Sequence, residues 1–384
     1  MFSVSILRPL KVCVLGIHLF CFLLGGSLCA AEPDQPGRWS SATAQQWGAQ
    51  QPWLVGANFL PSDAINQLEM WQPDTFNPAE IDREFGWAES LGMNTMRVFL
   101  HDLLWQQDAH GFTTRIDQFL SIANRHHIRP VFVIFDSCWD PNPQLGPQHP
   151  PLPGIHNSGW VQSPGAHALA TPAEHERLRI YVQGVIGHFA NDQRILAWDL
   201  WNEPDNTNAS SYSRFEPKNK IALVEELLPQ VFNWARAMHP TQPLTSGVWT
   251  GDWAVDGKLT IMTRIQLEQS DIISFHNYGF GEEFEKRIHE LRTYNRPILC
   301  TEYMARGAGS LFDTILPIAK HEHVAVINWG LVAGKSQTYL PWDSWAHPYI
   351  NQDPPVWFHD IFRQDGTPYR QAEVDQLRSL TGSN

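Results

Sequence analysis

From Trp53 onward, short apolar runs alternate with longer segments in which apolar residues recur every three or four positions. "WLVGANF" and "MNTMRVFL" are short and β-compatible. Between them "NPAEIDREFGWAESLG" predicts a helix, with Asn77 as cap, Pro78 at the first position, Glu80 closing a capping box and Gly92 as the stop. Ile81, Phe85 and Ala88 give that helix one apolar face. The same alternation continues with a helix in "TRIDQFLSIANRHHI", a strand in "RPVFVIFD", a helix in "TPAEHERLRIYVQGVIGHFA" and a strand in "RILAWDLW".

A helix from Leu223 to Met238, kinked at Pro229, follows the fourth strand. "PLTSGV", "DIISFHNY", "PILCTEY" and "VAVINWG" are the remaining strands. Helices near Leu259–Glu268, Glu282–Arg292 and Ser310–Lys320 separate them, and a last helix starts at Thr367-Pro368. Eight strands alternating with helices predict an α/β fold, a (β/α)8 TIM barrel forming a single domain with long βα loops over residues 53–384. A doubly wound sheet is the competing arrangement, but no glycine-rich phosphate loop follows the first strand.

The first thirty residues stand apart from this pattern. Arg8 and Lys11 precede an apolar run from Val12 to Gly26, and Cys29-Ala30-Ala31 supplies small residues for cleavage. That is the order of a secretory signal peptide over residues 1–30, leaving residues 31–52 as an extension ahead of the barrel. These fifteen residues, His18 among them, fall short of the roughly 20 that span a bilayer. The expectation is a secreted protein, periplasmic or extracellular, with no membrane contact after cleavage. Loss of Arg8 and Lys11 takes the formal charge from −13 to −15, which disfavours nucleic acid and anionic membranes. Only Cys138 and Cys300 would remain, on strands far apart around the barrel, so both are expected as free thiols.

In a barrel of this kind chemistry sits where the strands end. The ends carry Arg97, His101 and Asp102 after strand two, Asp136, Cys138 and Trp139 after strand three, and Asn202 and Glu203 after strand four. His276 and Tyr278 end strand six, Glu302 strand seven, and Asn328 and Trp329 strand eight. Glu203 and Glu302 are 99 residues apart, three βα units, which puts them across the barrel mouth. Two carboxylic acids facing each other over a cleft are the equipment of glycoside hydrolysis. Arg97 and Tyr278 are expected to stabilise Glu302 as a carboxylate, while Glu203 keeps its proton. Asn202 suits a sugar hydroxyl, and Trp329 a sugar face.

"WNEPD", "HNY", "TEY" and "NWG" on strands four, six, seven and eight resemble the retaining glycoside hydrolases of the large two-glutamate (β/α)8 clan, most of all the family 5, cellulase-like group. The resemblance implies an O-glycosyl hydrolase with Glu203 as acid/base and Glu302 as nucleophile. Substrate contacts would come from Arg97, His101, Asn202, His276, Tyr278 and Trp329. It implies a β-linked glucan, xylan or mannan, or a smaller β-glycoside, as substrate. No cofactor is expected, since two carboxylates need no Lewis acid and no His-x-His follows the first strand. The alternative is a non-catalytic carbohydrate-binding protein on the same barrel. One departure stands out: Cys138 occupies a position where the family often has His, and His101 is expected to take over its contact.

The connection from Asp136 to Thr171 spans 35 positions, against about 2–6 for an ordinary βα loop. Its "PNPQLGPQHPPLPG" is stiffened by prolines and is followed by His156, Asn157 and Trp160. The expectation is a wall at one end of the groove. Trp342, Trp345 and Trp357 either pack near the last helix or extend a sugar platform. Oligomeric state, sugar and linkage are left open.

Overall fold

Eight short runs, buried almost throughout, form parallel strands: β1 (Val55–Asn58), β2 (Thr95–Phe99), β3 (Arg129–Asp136), β4 (Ala197–Asn202), β5 (Leu244–Thr245), β6 (Ile273–His276), β7 (Ile298–Tyr303) and β8 (Ala325–Trp329). Burial on both faces is why they lack a polar–apolar alternation. The computed structural model describes residues 1–3 and 37–383. The strands lie in the order β5-β4-β3-β2-β1-β8-β7-β6. Between β5 and β6 the ring is drawn together by Val248, whose N–H donates to Ser274 O (3.0 Å) and whose carbonyl accepts from His276 N (2.9 Å). The result is a nearly closed (β/α)8 barrel.

Helices stand between the strands. They are α1 (Ser41–Ala49) ahead of β1, α2 (Gln67–Trp71) and α3 (Pro78–Glu89) after it, and α4 (Asp102–Arg125) after β2. Then come α5 (Ala166–Ala170) and α6 (His175–His188) after β3, α7 (Lys220–Arg236) after β4 and α8 (Ile261–Gln269) after β5. The last are α9 (Gly281–Arg292), α10 (Phe312–His321) and α11 (Gln371–Thr381). Among the described residues, no helix is long and apolar enough to cross a membrane. The expected signal peptide lies outside the described residues.

Local chemistry explains where several elements depart from expectation. Asn77 caps α3 by accepting from Glu80 N (3.2 Å), but Glu80 does not close a capping box. Its carboxylate is taken by Ser62 Oγ and Arg83 instead. Helix α4 starts twelve residues earlier than its pattern suggested, because Asp108 (φ −162°, ψ 83°) breaks it and its carboxylate then caps the continuation at Gly111 N (2.8 Å). The last helix begins at Gln371, not at Thr367. Residues 363–367 close a turn through Arg363 N to Thr367 O (2.8 Å), and Pro368 pairs with Phe362.

Residues 38–50, expected only as an extension, are bound to the barrel. Arg38 donates to the carbonyls of Leu267 and Ser270, and Trp39 N to Asp271 Oδ1 (all 2.9 Å). Trp47 of α1 packs on a cluster from the strand starts, including Leu54, Val131, Leu196, Ile272 and Leu299. That seals the amino-terminal end of the barrel and leaves the other end for chemistry.

Strand β1 lies close against β2. A methyl group at Gly56 would meet Thr95 O at 2.0 Å. Gly56→Ala therefore forces the two strands apart and should cost about 1–3 kcal/mol. Urea unfolding checks this, and an unchanged midpoint contradicts it.

Candidate active site

Because the strands are parallel, the polar residues that end them converge on one rim. Register places Asn58 beside both Arg97 and Trp329, Asp136 beside Asn202, and His276 beside Glu302. At the centre is Arg97, which is fully buried. Its Nε and Nη2 donate to Asp199 Oδ2 (3.0 and 2.8 Å), Nη1 to Asn58 Oδ1 (3.0 Å) and Glu302 Oε1 (2.8 Å), and Nη2 also to Asn202 Oδ1 (2.7 Å). The fixed fork of a guanidinium suits such a set, and an ammonium does not. Asp136 is not among the partners of Arg97. Asp136 instead accepts from Trp160 Nε1 (2.6 Å) and Asn202 Nδ2 (2.9 Å).

The two glutamates have different surroundings. Glu302 Oε2 accepts from the Tyr278 hydroxyl (2.8 Å), so both its oxygens are held. Glu203 Oε2 accepts from Asn206 Nδ2 (2.7 Å) and the Cys138 thiol (3.3 Å), and its Oε1 faces His276 Nδ1 (2.9 Å). His276 Nδ1 is 3.5 Å from Glu302 Oε2. One oxygen of each glutamate and a His276 nitrogen lie within 4.8 Å of one another. Glu203 has φ +41°, left-handed for a residue with a side chain, and Trp139 beside it has φ +69°. Such positions cost about 1–3 kcal/mol each and concentrate where a side chain must be aimed.

Burial sets the proton affinities here. It pushes the Glu203 carboxyl up, against Asn206, Cys138 and Arg97. It also pushes Glu302 up, so that carboxyl is not the ordinary carboxylate expected from the sequence. Burial takes His276 down to about 4, which leaves its imidazole neutral at pH 7. The lowering influences on Glu302 are then Arg97 and Tyr278. Two carboxyls this close hold one proton between them more readily than none. The proton belongs on Glu203, since the guanidinium is bonded to Glu302.

Of the expected residues, the rim brings together Glu203, Glu302, Arg97, Asn202, His276, Tyr278 and Trp329. It does not bring His101. That ring is buried at the start of α4, where Nδ1 accepts from Leu103 N (3.2 Å), and it does not line the cavity. The strand ends so close to the helix that His101 serves as its cap. Cys138 makes its own contact with Glu203 and needs no substitute. Cys138 and Cys300 are free thiols. Sequence reasoning missed Asp199 and Asn58, although a carboxylate within a wholly buried strand signals a partner. It also missed Asn206, three residues after Glu203.

The rim opens into a cavity of about 400 Å³. Glu203, Glu302, Asn202, Tyr278 and Trp329 line it, with Trp139, Trp249 and Trp342. A further hollow of about 260 Å³ shares Glu203, Trp249, Tyr278 and Trp342, and reaches Arg287 and Glu283. A hollow of about 310 Å³ beside Trp47 and Pro297, near the strand starts, gathers no comparable set. His156, Asn157 and Trp160 of the long loop also line the main cavity. That loop is stitched to the segment after β8. Asn157 N donates to Ser336 O (2.9 Å), His156 Nδ1 to Leu340 O (2.8 Å), and Gln337 Nε2 to the carbonyls of Leu152 (2.8 Å) and Ile155 (2.9 Å). The three undecided tryptophans separate: Trp342 lines the cavity, Trp345 stacks on Trp139 (5.4 Å, 12°), and Trp357 stacks on Tyr369 (4.6 Å, 3°).

No protein-family model matches the chain, and no curated protein matches it. Solved structures do. GH5_18 from Streptomyces cattleya in complex with GlcNAc superposes with a TM-score of 0.57 at 12% identity, over 86% of this chain and 81% of that one. The exo-β-1,4-mannosidase Op5Man5 from Opitutaceae bacterium strain TAV5 gives 0.56 at 19% identity, over 86% and 59%. The endo-1,4-β-mannanase from Rhizomucor miehei gives 0.54 at 12% identity, over 85% and 98%. This chain has the fold of these enzymes. At such identities the likeness is one of architecture, and chemistry must be argued from the site.

Removing the central cation gives a test of how the site is held. Arg97→Met strands Asp199 as a buried, unpaired carboxylate and should cost about 3–5 kcal/mol in chemical unfolding. The double variant Arg97→Met/Asp199→Leu should recover much of that. An equal loss in both would mean that packing, not the stranded charge, sets the cost.

Proposed function

We propose that the protein is a secreted, retaining β-glycoside hydrolase, with Glu203 as general acid/base and Glu302 as nucleophile. The observation that carries this reading is the pair itself: two buried glutamates, from the ends of β4 and β7, with oxygens within 4.8 Å on the wall of one cavity. Carboxyls about 5–5.5 Å apart suit a covalent intermediate, whereas about 6.5–9.5 Å leaves room for an inverting water. The pair is on the short side.

In the first step the Glu302 carboxylate attacks the anomeric carbon as the glycosidic C–O bond breaks, and Glu203 gives its proton to the departing oxygen. Ester formation removes the Glu302 charge. Glu203, relieved of an anionic neighbour, then loses affinity for a proton and can act as base. It takes a proton from water, the water oxygen bonds to the anomeric carbon, and the ester breaks to return Glu302. Arg97 and Tyr278 hold the nucleophile in line throughout. Asn202 supports a sugar hydroxyl beside the reacting carbon, and Trp329 offers a face to the ring.

The solved structures of like fold are described as mannosidases and mannanases, or as holding GlcNAc, which puts β-mannosides first among candidate substrates. The stitched loop after β3 supports a groove closed at one end, suited to short chains or chain ends. An aryl β-glycoside panel tests the activity, with Glu302→Gln expected to lower kcat on the order of 10⁴-fold or more. NMR of the first-formed sugar should give the β anomer. An α product, or no turnover of any β-glycoside by folded protein, contradicts the reading. Glu203→Ala should still turn over activated aryl glycosides when azide is added, yielding the β-glycosyl azide. Any azide rescue of Glu302→Ala should instead give the α product.

The closed end has its own test. Replacing residues 144–159 with a short Gly/Ser link should lower activity on small substrates and open the groove to longer ones. Rapid viscosity loss from a long polysaccharide with the wild-type protein contradicts a closed end.

A further inference from the structure

Cys138 sits where a βα loop leaves β3, and every polar capacity of its thiol is used. Its sulfur is 3.4 Å from Asn202 Nδ2 and 3.5 Å from Asn206 Nδ2. Each amide has two hydrogens. Asn202 spends one on Asp136 Oδ1 (2.9 Å), and Asn206 one on Glu203 Oε2 (2.7 Å). The second hydrogen of each is left for the sulfur, which lies within reach of both amides. The thiol's single hydrogen can then go to Glu203 Oε2 at 3.3 Å, with the Asp136 carboxyl as the competing acceptor.

The geometry points to Cys138 as a positioning residue for Glu203: its S–H, oriented by two asparagine amides, holds Oε2 and leaves the acid proton on Oε1, the oxygen that faces His276. This rests on the assignment of Glu203 as acid/base. Burial and the neighbouring carboxylates push the Cys138 thiol well up, so it remains a donor at neutral pH and does not become a thiolate beside Glu203. The other titratable or charged groups around Glu203 are Arg97 on β2, Asp136 at the end of β3, Asp205 on its own loop, His276 on β6, Tyr278 after β6 and Glu302 on β7. His276 contacts the opposite oxygen, so it cannot replace the thiol at Oε2.

The sign of the effect follows. A donor to the ionised carboxyl favours that form, so losing it raises the Glu203 pKa. Cys138→Ala should raise it by about 0.4–1 unit, the size of one neutral hydrogen bond. The alkaline limb of the pH–rate profile should move up equally. Turnover of poor leaving groups should fall by up to about tenfold, while activated aryl glycosides, which need no proton, keep their rate. Cys138→Ser retains a donor and should stay near wild type in all three. The δ-¹³C glutamate resonance that disappears in Glu203→Gln reports the same pKa without any turnover, so this test stands apart from the activity itself. Thermal melting confirms that each variant is folded. A wild-type pKa in Cys138→Ala, or a shift in Cys138→Ser as large as in Cys138→Ala, overturns the proposal.

Discussion

One buried cation organises this molecule. Arg97 ties β2 to β1 through Asn58, to β4 through Asp199 and Asn202, and to β7 through Glu302. An isolated guanidinium inside the barrel would be strongly unfavourable, and so would either carboxylate alone. Together they let a β-barrel interior hold negative charge, which the proposed nucleophilic attack requires. The cation bonds two carboxylates, Asp199 and Glu302. Glu203 receives no hydrogen bond from it, and in the proposed mechanism that asymmetry separates acid from nucleophile.

The second constraint is aim. Glu203 stands in a left-handed backbone conformation just after β4, with one oxygen held by Asn206 and Cys138 and the other turned to His276. Strain of this kind survives only where the surroundings over-determine it. The surroundings here include a buried ion pair, Lys220–Glu216 (2.7 Å), whose members also bond Ser137 O and Asn208 Nδ2. Asn208 in turn binds Trp139 N (2.7 Å). Thus the loops after β3 and β4 are braced together beside the cavity, and the loop after β3 is also stitched to the segment following β8. A site braced in this way is preorganised for the sugar proposed to bind there.

Much of this was legible in the chain. Strands buried on both faces leave continuous apolar runs, and polar residues at their ends mark one rim, so the barrel and the Glu203–Glu302 pair could be read without coordinates. Cross-barrel partnerships could not. Asp199 meets Arg97 across 102 positions, and nothing local distinguishes it from a carboxylate serving another partner. His101 misled because a His-Asp pair after a strand has the form of a site residue, whereas the short βα junction there makes it a helix cap. The first half of α4 was hidden because Asp108 and Gly111 interrupt its apolar period. The role of Cys138 depends on three side-chain contacts that no spacing encodes.

The central claim is that Glu302 becomes covalently bonded to the sugar. A 2-deoxy-2-fluoro β-glycosyl fluoride should accumulate that intermediate, and digestion followed by mass spectrometry should find the added mass on Glu302 in "ILCTEY". Label at Glu203, or inactivation with the label on neither glutamate, would contradict the account.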